Sequence, residues 1–280
     1  MIRTPITGLV CLGLAATLFV GCSDKAVPTE QQANAIQQLE AQSIPRTQER
    51  FLEAVMQDDA ELVRLFLDAG MNPDVTVLDK DGSTPLNIAA DHEQMEIVRS
   101  LLKEGADPDG KDTVTGHRPL HTAVFHHDTE MAKLLLNHGA DPNATLSRGR
   151  TPLAVAIAPR PSETVEAHVQ LIQLLLDQGA DPTESDADGR TALMEAASYG
   201  ERELVDLLLH QKGVKVNRQD DNGVTALMEA AFQGDPEIVG ALLSAGADPL
   251  LKDDQRQAAA DYARRGDHEE VRMMLLKAGS

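Results

Sequence analysis

The chain has 280 residues, enough for one large domain or two small ones, and carries a formal charge of −20. That acidity excludes nucleic acid, whose phosphates need a basic stripe, and disfavours adsorption to anionic lipid heads, but it suits a basic protein partner. Apolar residues make up 42% but aromatics only 2%, with no Trp, so small and aliphatic side chains must build the core. Close-packed helices suit that composition better than a sandwich or barrel, where strands favour aromatic and β-branched residues.

The first segment reads as a targeting signal. One early cation, Arg3, precedes an apolar run from about Ile6 to Val20, and small residues follow. Leu18-Phe19-Val20-Gly21-Cys22 resembles the bacterial lipobox, with Phe19 where that pattern usually has an aliphatic residue. The resemblance implies a signal peptide over 1–21 and a lipidated Cys22. An ordinary secretory signal or an uncleaved anchor is the alternative reading of the same residues. By resemblance to bacterial sorting rules, Ser23 after the Cys points to the outer membrane, with the chain facing the periplasm. The other Cys is Cys11, inside the signal, so the mature domain is expected to hold no disulfide and no thiol nucleophile. Residues 22–45 are polar and Gln-rich and read as a tether, with a short helix near Asn34–Gln42.

From residue 46 onward the chain repeats itself. The stretch TALMEAA stands at 191–197 and again at 225–231. A Gly before a T-P-L or T-A-L type triplet recurs at Gly82, Gly116, Gly149, Gly189 and Gly223, at intervals of 34, 33, 40 and 34 residues. A second Gly, in a G-A-D type turn, recurs at Gly70, Gly105, Gly139, Gly179, Gly213 and Gly246. A period near 33 residues with this opening resembles the ankyrin repeat, most closely in 82–108, GSTPLNIAADHEQMEIVRSLLKEGADP. The resemblance implies an all-α solenoid, helix-turn-helix repeats joined by β-hairpin-like loops. Its seven repeats are expected at about 47–78, 79–111, 112–145, 146–185, 186–219, 220–252 and 253–280, within a domain over 46–280.

Each residue type has a reason. Thr84, Thr151, Thr191 and Thr225 stand where a hydroxyl caps the first helix, and Pro85, Pro119 and Pro152 take its first position, where a missing N–H costs nothing. Ala89-Ala90, Ala196-Ala197 and Ala230-Ala231 allow tight packing of that helix. The second helix carries an aliphatic stripe, such as Ile97, Val98, Leu101 and Leu102, and ends at a glycine in the left-handed region. The ends are atypical, as a stack requires: the first copy lacks the hairpin, and in the last Arg256 replaces the marker Gly.

No catalytic constellation emerges. There is no G-x-S-x-G, P-loop or H-E-x-x-H pattern, and no cofactor or metal is expected. His121 falls at the T-P-L-H position, where in the ankyrin family the imidazole bonds backbone. His126-His127-Asp128 reads as a turn between helices, its two imidazoles pointing apart. Glu195 and Glu229 recur one repeat apart, which makes them equivalent positions on neighbouring first helices, not an acid paired with a base.

Binding has more to work with. The resemblance implies that a partner docks on the concave face, built from hairpin tips and the exposed side of the first helices. The variable pairs following the small residues are Asp91-His92, Phe125-His126, Ser198-Tyr199, Phe232-Gln233 and Arg264-Arg265, and exposed aromatics there would be anchors. The hairpin tips add Arg148, Arg150, Asp188, Arg190 and Asp221. The fourth repeat carries about seven extra residues within 157–169, where Arg160 joins the candidates and Ser162 is expected to cap a lengthened second helix. The chain is therefore expected to be a monomeric, non-enzymatic, lipid-anchored module that binds another protein as a scaffold or accessory factor. The alternative is an immunity lipoprotein that neutralises a periplasm-acting toxin such as a secreted lipase.

Overall fold

In the computed structural model, described over residues 28–76, 82–113, 116–159 and 164–280, apolar spacing at helical period produces helices arranged in two layers. A lone helix, α1 (Glu30–Ala41), precedes seven helix pairs: α2 (Gln48–Met56) with α3 (Ala60–Asp68), α4 (Pro85–Asp91) with α5 (Met95–Lys103), α6 (Pro119–Phe125) with α7 (Thr129–Asn137), α8 (Pro152–Ala156) with α9 (Val165–Asp177), α10 (Ala192–Tyr199) with α11 (Arg202–Leu209), α12 (Ala226–Gln233) with α13 (Pro236–Ser244), and α14 (Ala259–Arg265) with α15 (Glu269–Ala278). The even-numbered first helices stack on one another, and the odd-numbered second helices stack behind them. Among the described residues there is no strand, only an isolated antiparallel bridge between Ser185 and Thr191.

The capping chemistry matches the sequence. The hydroxyls of Thr84, Thr151, Thr191 and Thr225 accept from the backbone N–H three residues on. The paired alanines and the Ile97, Val98, Leu101, Leu102 stripe are buried. Gly105, Gly139, Gly179 and Gly246 have φ between +86° and +93°. In the six repeats other than the fourth, the turn from first to second helix holds one left-handed residue. After each TALMEAA copy glycine fills it, as Gly200 and Gly234; elsewhere Asp58, Glu93, His127 and Asp267 adopt the same conformation. Arg256, in place of the marker glycine, likewise has φ +61°.

Hydrogen bonds across repeats hold the non-helical edges in line. At several hairpins the chain closes on itself, as where Asp186 N–H donates to Arg190 O (3.0 Å) and Asp220 N–H to Val224 O (2.9 Å). Three tips also donate to their predecessors: Ala187 to Arg148 O at 2.8 Å, Asp221 to Asp188 O at 3.0 Å, Asp254 to Asn222 O at 3.0 Å. Behind the second helices, Asp74, Asp109, Asn143 and Asn217 accept the backbone N–H of Asp107, Asp141, Asp181 and Asp248 in the next turn.

Two expectations change. Residues 30–41 are not a free tether: α1 is longer than Asn34–Gln42 and packs on α3, burying Ala35 and Leu39 in the core. Gln31 donates to Asp68 at 2.7 Å, and Arg46 to the carbonyl of Ala69 at 3.0 Å. The long second helix of the fourth repeat is capped by Thr164, two residues beyond Ser162, and begins at Val165. Cys22, the signal and residues 160–163, including Arg160, lie outside the described residues.

Candidate protein-binding face

The first-helix layer ends in turns whose leading residues have no helix in front of them. Phe125 is the last residue of α6, Tyr199 of α10, and Phe232 the last but one of α12. Buried Ala123-Val124 and Ala230-Ala231 turn inward and leave the next side chain, Phe125 or Phe232, facing out; Tyr199 lies one place further on, after half-buried Ser198. The exposures are 61% for Phe125, 46% for Tyr199 and 43% for Phe232, in a protein with so few aromatics. Met56, not singled out in the sequence, ends α2 at the equivalent position and is also exposed. The signal was available: it follows Ala54-Val55, which are buried like the alanine pairs.

The neighbours of these side chains are polar. Phe125 meets His126 edge-on at 5.6 Å, and His126 reaches back to the previous repeat, with Nε2 3.3 Å from Asp91 and Nδ1 3.7 Å from Glu93. Two predicted contact residues, Asp91 and His126, are thus joined in one group. His92, the C-cap of α4, is exposed beside them. The Phe232 ring lies 5.9 Å from the Arg265 guanidinium, which also sits 5.2 Å over Tyr262. Arg265 is the last residue of α14 and faces this side, whereas Arg264 pairs with Asp261 at 3.1 Å. The imidazoles of His126 and His127 do part: His127 packs at 5.1 Å from His168 of α9, the buried ring whose Nε2 donates to Ala156 O at 2.8 Å.

At the hairpin tips, Arg148 and Asp188 are brought together by one nitrogen, Nη2, donating to both carboxylate oxygens at 2.6 and 2.7 Å, both side chains largely in solvent. Asp221 follows on the next tip, exposed. Arg150 is exposed and donates to Ala154 O at 3.2 Å, while its own carbonyl receives His121 Nε2 at 3.3 Å. His121 is buried as the sequence implied, and burial holds its pKa down at about 4 despite the bond to Arg150.

Arg190 is a correction. Expected as a hairpin contact, it is a half-buried bridge: Nε donates to Glu195 at 2.8 Å, Nη1 to Glu229 at 2.7 Å, and Asp220 lies 3.8 Å away. Its pKa is raised: burial works against the charge, but the two glutamate hydrogen bonds outweigh it. Glu195 and Glu229 are equivalent positions, and the third member of that series is Tyr262, whose hydroxyl donates to Asp253 at 2.7 Å. Burial first, then that carboxylate, pushes the phenol pKa up. A free tip cation would have pointed to a ligand; this one stitches two repeats together. Among the described residues no group of three His, Cys, Asp or Glu has the arrangement of a metal site.

The model of ankyrin repeats in three copies matches residues 51–145, 111–167 and 165–253. A putative ankyrin repeat protein of fowlpox virus (strain NVSL) is 34% identical over 91 residues, 32% of this chain, and the match spans only 13% of the viral protein's length. An ankyrin repeat domain from Acinetobacter baumannii AYE, known from a crystal structure, is 31% identical with a TM-score of 0.61, covering 70% of this chain and 97% of that one. Domains of this kind are protein-interaction modules and in general not enzymes. The helix pairs, the capped first helices, the left-handed glycines and these matches lead to one statement: the chain belongs to the ankyrin-repeat family.

Proposed function

We propose that this protein is a non-enzymatic binding module of the bacterial envelope, tethered through lipidated Cys22 and facing the periplasm from the outer membrane. It would take its partner on the face formed by the first helices and hairpin tips. The observation that carries the reading is the outward row of Phe125, Tyr199 and Phe232, three exposed aromatics on one face of a stack otherwise poor in them. Acidic side chains border the row, Glu93 and Asp91 on the turn side and Asp188 and Asp221 at the tips, so a partner with basic residues around an apolar centre fits best.

That acidity also favours a more specific reading: an inhibitor that covers the cleft of a basic, periplasm-acting enzyme. Both readings need the same face. Replacing Phe125, Tyr199 and Phe232 with Ala should reduce capture of the partner from envelope extract by tenfold or more while helical content is kept. Capture at the wild-type level would remove the assignment. Replacing Cys22 with Ser should release the protein from membranes or leave its signal uncleaved, and normal processing with membrane retention would remove the anchor.

A further inference from the structure

The last repeat leaves apolar side chains uncovered at the end of the stack. Three residues before the turn glycine most second helices carry a leucine: Leu67, Leu102 and Leu136 are buried, Leu176 and Leu243 are half-buried, and the fifth repeat has His210 there. Leu276 holds that position on α15, where no described element follows, and is 48% exposed. Met273 lies one turn earlier on the same face, 56% exposed.

A second, independent departure stands beside them. At the fourth residue after the turn glycine, Asp74, Asp109, Asn143 and Asn217 accept a backbone N–H from the following turn, while the fourth copy has Thr183 there. The sixth copy has Leu250 there, with no oxygen to offer and 61% exposed. Leu250 lies against Gly279, so close that a Cβ there would come within 2.9 Å of it. That places it one helical turn from Leu276.

The charges around this patch are self-complementary. Glu270 and Lys277 are seven residues apart, two helical turns, and lie on the same flank of the Met273–Leu276 face. Reversing one copy of α15 against another lays that flank on itself with its ends exchanged, so the acidic end of each helix meets the basic end of the other. From Asp261 to Lys277 the four acids (Asp261, Asp267, Glu269, Glu270) are balanced by four cations (Arg264, Arg265, Arg272, Lys277), so this end is near neutral although the chain is at −20. Head-to-tail stacking does not match: the opposite end exposes Asn34, Gln37 and Gln38 on α1.

We propose that this end is an isologous contact between two copies of the chain, α15 packed antiparallel on α15, with Met273, Leu276 and Leu250 at the seam and each Glu270 facing the partner copy's Lys277. The contact leaves the aromatic row free, so each dimer presents two binding faces.

Full-length chains carrying Glu270→Cys and Lys277→Cys, co-expressed with different tags and treated with bismaleimidoethane, test the arrangement. The mixed pair should cross-link at least tenfold more than Glu270→Cys with itself, since the two Glu270 positions stand about 10 Å further apart along the helices. Chains with only the native cysteines give the background. Adding Met273→Glu and Leu276→Glu, both at exposed sites, should abolish the cross-link while circular dichroism stays unchanged. Glu270→Lys alone should weaken dimerisation about tenfold, and adding Lys277→Glu should restore it. Cross-linking no better than background, equal cross-linking of Glu270→Cys with itself, or scattering masses that grow beyond a dimer would each overturn the proposal.

Discussion

Arg190 donates to Glu229 at 2.7 Å across 39 residues of sequence and one repeat boundary, while its other arm holds Glu195 of its own repeat at 2.8 Å. One cation thus fixes the spacing of two identical TALMEAA helices. Without it, two glutamates and Asp220 would crowd a half-buried site with nothing to balance them.

Substituting Arg190 with Met should therefore cost about 2 kcal/mol of stability, in the range for hydrogen bonds between charged groups with some discount for the part that remains in water. Adding Glu229→Gln to that variant should recover part of the loss, because it relieves the unbalanced charge. Urea unfolding measures both. Additive losses would show that the bridge does not couple the repeats.

His121 makes stability depend on acidity. Its folded pKa of about 4 lies below the ordinary histidine value of 6.5, so between these two values the unfolded chain binds more protons than the folded one. This contribution is fully present above pH 6.5 and is lost as pH falls towards 4, by about 3 kcal/mol in all. Asn87 occupies the same position in the second repeat and bonds backbone through Nδ2 to Gly110 O at 2.8 Å, so His121→Asn should fold. Denaturation midpoints followed from pH 7 to pH 4 should fall less steeply for that variant than for the wild type. Parallel curves would mean that His121 takes up its proton without opening the structure.

Leu39 tests whether α1 belongs to the solenoid. Its side chain is wholly buried against α3, and Leu39→Ala should cost about 2–4 kcal/mol through lost burial and an unfilled cavity. Hydrogen exchange locates the effect: amides of α1 and α3 should lose protection first, because each layer of a stack rests only on its neighbours. Unchanged protection in α1 would return that segment to the status of a tether.

The sequence by itself determined the repeat, its length, the helix starts and stops, and the outward direction of Phe125, Tyr199 and Phe232. These follow from local rules: a hydroxyl caps the N–H groups nearest to it, a glycine takes a positive φ where it stands, and an alanine pair fixes which neighbouring side chains point out. It could not say which equivalent residue meets which. Arg148 and Arg190 look alike as tip cations, yet Arg148 stays in solvent with Asp188 while Arg190 is drawn between two glutamates. Nor could a polar segment reveal that Ala35 and Leu39 find an open edge on α3. Those outcomes depend on the stacking of repeats, which sets residues some 34 positions apart side by side. Only the tertiary structure decides which partners that stacking brings within reach.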